Sequence, residues 1–205
     1  VARQSLVLLK NEGDLLPLSK DLKAIAVIGP NADDPLVLRG NYFGTPTESV
    51  TILQGIRGLV SPGTEVMVAR GCGIYESGRQ GFAEAVEIAE KADAAVMVMG
   101  LSQKIEGEEG QSAGMPEGMV SQGDRSTLDL PGEQEDLIKA VAETGTPVIL
   151  VLLNGSALAV NWADEHLPAI LEAWYPGQAG GRAVAEALFG VTNPGGRLPV
   201  TFYKS

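Results

Sequence analysis

Short apolar runs alternate with helix-like patterns along most of the chain. Four of these runs predict strands buried on both faces, because a short, nearly uninterrupted apolar run between turn residues is typical of a parallel sheet. They occupy residues 24–28 (AIAVI), 94–99 (AAVMVM), 147–153 and 169–174. A fifth run, residues 65–69 (EVMVA), is partly polar and predicts a strand nearer an edge of the sheet.

Apolar residues spaced three or four positions apart predict helices between these strands. The predicted helices cover residues 1–10, 78–91, 131–143 and 180–189. The side chains expected to face inward from the second and third helices are Phe82, Ala85, Val86 and Ala89, then Leu137, Ile138 and Val141. Gly190 follows the fourth helix and suits its C-terminal cap.

The alternation of strand and helix predicts an α/β fold. We expect one open, mostly parallel sheet of about five or six strands with helices on both faces, an α/β sandwich. The length of 205 residues and the hydrophobic fraction of 44% suit a single domain with a continuous core.

Residues 105–123 break this pattern. The segment has five glycines in 19 residues and no apolar periodicity. A loop of this length inside a compact domain is usually functional or disordered. It follows the predicted strand 94–99, and ligands of open α/β sheets gather at the carboxyl ends of the strands. Position and composition therefore both mark this loop as a candidate site.

Charge and length limit the possible partners. The chain has 26 acidic and 15 basic residues, a net charge of −11, which repels phosphates. Nucleic acid and anionic membranes are therefore not expected to bind. The longest apolar runs, residues 94–101 and 147–153, are well short of the roughly 20 residues that cross a bilayer, so no membrane insertion is expected.

Two common kinds of site find little support in the sequence. Residues 29–32 (GPNA) follow a strand, but they match neither glycine-rich phosphate-binding motif. Residues 154–156 (NGS) also follow a strand, but they lack the G-x-S-x-G pattern of a hydrolase nucleophile. His166, the only histidine, lies in a polar run and is expected at the surface. Cys72 is the only cysteine, so neither an intramolecular disulfide nor the usual thiolate or histidine metal sites are expected.

Carboxylates remain as candidates for chemistry. Glu106, Glu108 and Glu109 crowd the loop, and Asp124 and Arg125 follow it. Like charges in a partly buried place raise one another's pKa, which is how a carboxyl group becomes a general acid near neutral pH. On composition alone, a solvated acidic loop with no role is the favoured interpretation, and spacing cannot decide between the two.

A series of motifs resembles the second domain of the family 3 glycoside hydrolases, the β-glucosidases and β-xylosidases. Each motif is weak alone, but together and in this order they are highly specific. In chain order they are SLVLLKNE (5–12), LLPL (15–18), AVIGPNAD (26–33), GNY (40–42), RGC (70–72), GDR (123–125), LDLPG (128–132), NG (154–155), AWYPGQ (173–178), GG (180–181) and NPGGRLPVTF (193–202).

The resemblance implies a function shared between two domains. In this family a (β/α)8-like barrel carries an aspartate nucleophile, and the α/β sandwich sends a loop with a glutamate acid/base over the same pocket. We therefore expect residues 1–205 to be a single sandwich domain of a longer enzyme, preceded by the barrel. The implied activity is that of a retaining, exo-acting β-glycosidase on β-linked glucosides or xylosides, with no cofactor and no metal, in a periplasmic or secreted setting. A non-catalytic carbohydrate-binding or interdomain scaffold is the alternative.

The resemblance also assigns roles within the loop. Gly107-Glu108 best matches the setting of the family's acid/base, so Glu108 is the first choice and Glu109 and Glu106 are the alternatives, with Glu117 a remote one. Asp124 and Arg125 are expected to anchor the far end of the loop. The long spacing before that pair is similar to the longer-loop members of the family, which are often β-xylosidase-like. Trp174 is expected to serve packing rather than sugar contact.

Overall fold

The computed structural model describes residues 1–41, 43–106 and 125–205. These residues form a six-stranded sheet in the order β1-β6-β5-β4-β2-β3. The strands are β1 (Val7–Asn11), β2 (Ala24–Ile28), β3 (Glu65–Ala69), β4 (Ala94–Gly100), β5 (Val148–Leu153) and β6 (Ala169–Glu172). The helices are α1 (Ala2–Ser5), α2 (Ile52–Arg57), α3 (Phe82–Glu90), α4 (Gln134–Ala142), α5 (Asn161–His166) and α6 (Gly180–Leu188), with a 3-10 turn at Glu12–Asp14.

The sheet confirms the predicted fold class. Strands β2 to β6 pair in parallel, and only β1 runs antiparallel, with Val7 opposite Glu172 and Asn11 opposite Ala169. The partly polar strand β3 lies at one edge, as its composition predicts. Every residue of β2, β4, β5 and β6 is buried. Burial on both faces agrees with two helix layers, one in which α6 contacts α1 and α2, and one in which α3 contacts α4.

The predicted helix over residues 1–10 is wrong after its first turn. The helix α1 covers Ala2–Ser5, and residues Val7–Asn11 form the edge strand β1 instead. The apolar spacing of this segment fits either a helix or a strand, and a local sequence pattern carries no information about a distant partner strand. Pairing with β6 supplies the main-chain hydrogen bonds that decide for the strand.

Other boundaries move by a few residues. The helices predicted over residues 78–91 and 131–143 begin later, at Phe82 and Gln134, and β6 ends at Glu172 rather than at residue 174. The helices α2 and α5 are not predicted. For α2 a signal is present in the sequence, because Thr51 and Gln54 form a capping box in which each side chain bonds the other's backbone N–H.

Among the described residues, no helix is long and apolar enough to cross a membrane.

Gly100 provides a test of how tightly the sheet is packed where the candidate loop leaves β4. Its φ is +135°, and a Cβ at this position would lie 2.0 Å from the carbonyl oxygen of Leu153. We predict that Gly100→Ala lowers the free energy of unfolding by about 3 kcal/mol or more, since strain and overlap with backbone add. Urea unfolding followed by circular dichroism measures the change. The control is Gly63→Ala, because a Cβ at Gly63 meets nothing within 4 Å; equal effects of the two substitutions would contradict the prediction.

Candidate functional site

The carboxyl ends of β4, β5 and β6 meet at one edge of the sheet. Residues 101–106 leave β4, residues 154–158 leave β5, and residues 173–178 leave β6. Because these strands are parallel neighbours, the three segments lie side by side. The candidate loop therefore starts beside the turns that follow β5 and β6.

Glu106 is held at this edge by four donors. Its Oε2 accepts the backbone N–H of Gly155 at 2.9 Å and the hydroxyl of Tyr175. Its Oε1 accepts the backbone N–H of Ser156 at 2.6 Å and the Ser156 hydroxyl. Each carboxylate oxygen thus receives one backbone N–H and one hydroxyl. The Glu106 side chain fixes the start of the loop to the turns after β5 and β6.

Arg125 contacts the same turn from the other end of the loop. Its Nη2 donates to the carbonyl of Asp129 at 2.8 Å, and its Nη1 lies 3.4 Å from both the Ala157 carbonyl and the Ser156 hydroxyl oxygen. Burial lowers the pKa of the guanidinium, and the charge of Glu106 opposes that shift.

The other residues singled out in the loop cannot be placed. Glu108, Glu109, Glu117 and Asp124 lie outside the described residues, within the segment 107–124. Their assigned roles therefore stay predictions, as does the anchoring role of Arg125.

Polar side chains that were not predicted from the sequence bond the main chain between the end of β4 and the start of the loop. Gln134 is fully buried and bonds both main-chain groups of Gly100, accepting its N–H at 2.7 Å and donating to its carbonyl at 2.8 Å. Asn31 donates to the carbonyl of Leu101 at 2.8 Å, and Asn41 donates to the carbonyl of Glu106 at 2.8 Å. These contacts join residues distant in sequence, so no local motif announces them.

A second carboxyl group lies buried beneath this cluster. Glu172, 1% exposed, accepts the backbone N–H of Trp174 at 2.8 Å and the side-chain amide of Asn154 at 3.1 Å. Burial raises the pKa of Glu172 to about 8, the two donors oppose the rise, and the nearby charge of Glu106 adds to it. Glu172 is therefore mostly a neutral carboxylic acid at pH 7.

The structure separates the residues of a serine hydrolase triad. Ser156 follows β5 at the carboxyl edge of the sheet, whereas His166 precedes β6 at the opposite edge. His166 is exposed, as expected, and its ring stacks on Trp162 with 4.4 Å between the ring centroids.

Trp174 is used in packing within the chain. Its indole N–H donates to the carbonyl of Ser5 at 2.9 Å, and its ring meets Phe202 edge-on with 5.9 Å between the centroids. Its φ is +58°, an uncommon value for a residue with a bulky side chain.

A groove of about 410 Å³ adjoins the cluster through Tyr175. Its other walls come from residues 38–40 and 43–46 and from Gly177 and Gln178, and the guanidinium of Arg39 lies 4.6 Å from the centroid of the Phe43 ring. In the described part of the chain, no group of three or more His, Cys, Asp or Glu residues is arranged to hold a metal ion.

Comparison with known proteins identifies the family. The family described as "Glycosyl hydrolase family 3 C-terminal domain" matches residues 6–205. The chain belongs to this family. A β-xylosidase of Formosa agariphila is 41% identical over 98% of this chain, and a periplasmic β-glucosidase of Salmonella typhimurium is 39% identical over 100% of this chain. The resemblance inferred from the sequence motifs is therefore confirmed.

Solved structures of family 3 enzymes share the fold. An exo-β-xylosidase in complex with a xylobiose aziridine probe matches with a TM-score of 0.82 and 35% identity, over 96% of this chain and 24% of its own. A Listeria innocua β-glucosidase in complex with glucose matches with a TM-score of 0.83 and 30% identity, over 99% and 26%. The chain spans 27% of the Formosa relative and 28% of the Salmonella relative, so these family 3 proteins are much longer.

The pKa of Glu172 predicts how the stability of this family 3 domain depends on pH. The folded state keeps a proton on Glu172 up to about pH 8, whereas the unfolded chain loses it near the ordinary value of 4.5. The protonated group therefore favours folding fully below about pH 4.5, and this contribution is lost as the pH rises to about 8. The loss is on the order of 4–5 kcal/mol.

Glu172→Gln removes this titration, so we predict that the variant gains stability relative to the wild type as the pH rises from 5 to 8. Urea unfolding at a series of pH values measures the difference. Glu87→Gln is the control, because Lys91 lowers the pKa of the exposed Glu87 and its contribution is lost only in more acidic solution. A Glu172→Gln difference that stays level from pH 5 to 8 would show that Glu172 is ionised in the folded state.

Proposed function

We propose that this chain is the second domain of a retaining, exo-acting β-glycosidase. In this function it supplies the acid/base glutamate from the segment 107–124 to an active site shared with an upstream (β/α)8-like barrel domain. The observation that carries the proposal is that Glu106 and Arg125, which flank this segment, both contact Ser156 at the carboxyl edge of the sheet. The residues on either side of a segment with four carboxylates thus lie where open α/β sheets bind their ligands.

The contacts of Glu106 support Glu108 as the acid/base. A general acid must present a proton to the leaving oxygen of the substrate. Each oxygen of Glu106 already accepts one backbone N–H and one hydroxyl, so these contacts occupy the positions from which it would pass a proton to a substrate. Glu106 is therefore suited to anchoring, and Glu108 remains the first choice with Glu109 as its competitor.

The proposed mechanism is a double displacement. Glu108, protonated, donates to the glycosidic oxygen of the leaving group while an aspartate of the barrel attacks the anomeric carbon. The same glutamate, then ionised, takes a proton from water, which releases the sugar with retained configuration. The two carboxyl groups of retaining enzymes lie about 5–5.5 Å apart, so the segment must reach the barrel's aspartate. The reaction requires neither a cofactor nor a metal.

The substrate class follows from the relatives. Matching proteins are named as β-xylosidases and as β-glucosidases, at similar identities to this chain. The proposed substrates are therefore β-linked xylosides and glucosides. The net charge of −11 carries no penalty for such neutral sugars.

Glu108→Ala in the longer enzyme tests the assigned acid/base. Loss of the acid should lower kcat/KM by about 10²–10⁴-fold for substrates with poor leaving groups, and far less for activated aryl glycosides, which leave without a proton. Azide should restore turnover of activated substrates and yield a glycosyl azide, because it attacks without a general base. Leaving-group series and product analysis give both results.

Three carboxylate variants serve as comparisons. Glu90→Ala removes an exposed carboxylate at the end of α3, beside the opposite edge of the sheet, and should leave the kinetics unchanged. If Glu109→Ala or Glu106→Ala shows the leaving-group dependence and azide rescue instead, Glu108 is the wrong residue.

The 205-residue chain alone should fold without hydrolysing aryl glycosides, because the proposed nucleophile belongs to another domain. Circular dichroism and release of 4-nitrophenol from its β-xyloside and β-glucoside measure the two properties. If hydrolytic activity stays with the chain through further purification steps, a shared active site would be ruled out.

A further inference from the structure

One serine hydroxyl connects the two ends of the segment 107–124. The Ser156 hydroxyl donates to Glu106 Oε1, and the hydroxyl oxygen of Ser156 lies 3.4 Å from Nη1 of Arg125. The hydroxyl can accept from the guanidinium while it donates to the carboxylate, since it carries one proton and two lone pairs. Residues 106 and 125 are therefore joined through one side chain of the turn after β5.

We propose that Glu106, Ser156, Tyr175 and Arg125 are positioning residues that hold the two ends of the segment 107–124 together and so fix the acid/base glutamate between them. We call these four residues the stem clasp. The inference rests on the proposed function, because it concerns how that function's glutamate is aimed at the substrate. In this proposal Ser156 acts as a hydrogen-bonding residue and not as a nucleophile.

Close packing surrounds the Tyr175 ring of the clasp. A Cβ at Gly40 would lie 2.7 Å from Cδ2 of the Tyr175 ring, and a Cβ at Gly155 would lie 3.1 Å from its Cε2. The ring therefore packs closely against two chain segments where glycine leaves room for it. Burial and the neighbouring Glu106 raise the pKa of the phenol, so Tyr175 stays a hydrogen-bond donor to that carboxylate.

The donor pattern requires a carboxylate at position 106. Hydrogen bonds to a charged acceptor are roughly twice as strong as neutral ones. A glutamine offers one acceptor oxygen, and its amide group would face an N–H and a hydroxyl on the other side. Glu106→Gln should therefore behave nearly like Glu106→Ala, although it changes the shape of the side chain very little.

A double-mutant cycle in the longer enzyme tests the clasp. Glu106→Ala and Glu106→Gln should each lower kcat for poor-leaving-group substrates by about 10–100-fold, the cost of misplacing a reacting group. KM should change little. In the Glu108→Ala background the same substitutions should change kcat less than about twofold, because no acid/base remains to be positioned. Tyr175→Phe and Ser156→Ala, which each remove one hydroxyl, should give smaller losses with the same pattern.

Amide exchange supplies a readout that does not depend on activity. The backbone N–H groups of Gly155 and Ser156 both donate to Glu106, so hydrogen exchange at these two amides should accelerate in Glu106→Ala and Glu106→Gln. The exposed control Glu90→Ala should leave them unchanged. These amides report the clasp even in a variant with no measurable turnover.

The outcomes separate the clasp from the proposed function. A loss that disappears in the Glu108→Ala background, with faster exchange at Gly155 and Ser156, supports the clasp. An equal loss in both backgrounds overturns it, since Glu106 would then act independently of Glu108, and azide rescue of Glu106→Ala overturns it because Glu106 would be the acid/base. If Glu108→Ala shows no azide rescue, the acid/base assignment fails, and with it the positioning role; unchanged amide exchange would show in addition that the contacts themselves are absent.

Discussion

Parallel strands buried on both faces leave main-chain polar groups to be satisfied wherever the chain departs from their carboxyl ends. In this domain, side chains from distant parts of the sequence form hydrogen bonds with those main-chain groups. Gln134 bonds both main-chain groups of Gly100, and Asn31 bonds the carbonyl of Leu101. Glu106 then receives the N–H groups of the turn after β5. The path from the last residue of β4 to the start of the segment 107–124 is thus fixed by hydrogen bonds, and the site depends on this ordered edge.

Two carboxyl groups at this edge of the sheet have different surroundings. Glu106 accepts from two backbone N–H groups and two hydroxyls, with Arg125 nearby. Glu172 is buried with two nitrogen donors, and the cost of desolvation dominates, which raises its pKa to about 8. Keeping Glu172 neutral limits the negative charge beneath Glu106. In a chain with a net charge of −11, this spares the cluster a repulsion that burial would strengthen.

The sequence predicted the parts of the fold that follow from local composition. Apolar runs identify β2, β4, β5 and β6, with Glu172 in β6 as the one charged residue among them, because a strand covered on both faces is mostly apolar. The edge strand β1 escaped prediction, since its hydrogen bonds come from β6, about 160 residues away. The site divides in the same way. Motifs named Glu106 only as an alternative acid/base and Arg125 as an expected loop anchor, whereas Gln134 and Tyr175 contact residues 34 and 69 positions away, which no local motif indicates.

A catalytic group carried on a long segment poses an entropic problem that the clasp addresses in the proposed function. Ordering a segment costs conformational entropy, and substrate binding bears that cost when the segment is ordered only in the complex. Glu106 and Arg125 both contact Ser156 in the folded domain, so the proposed clasp forms before substrate arrives. The free energy of folding then offsets the entropic cost of loop closure, and this cost grows only slowly with loop length. In the proposed function, these contacts give the segment 107–124 a fixed starting point, so that less binding energy is needed to orient the acid/base.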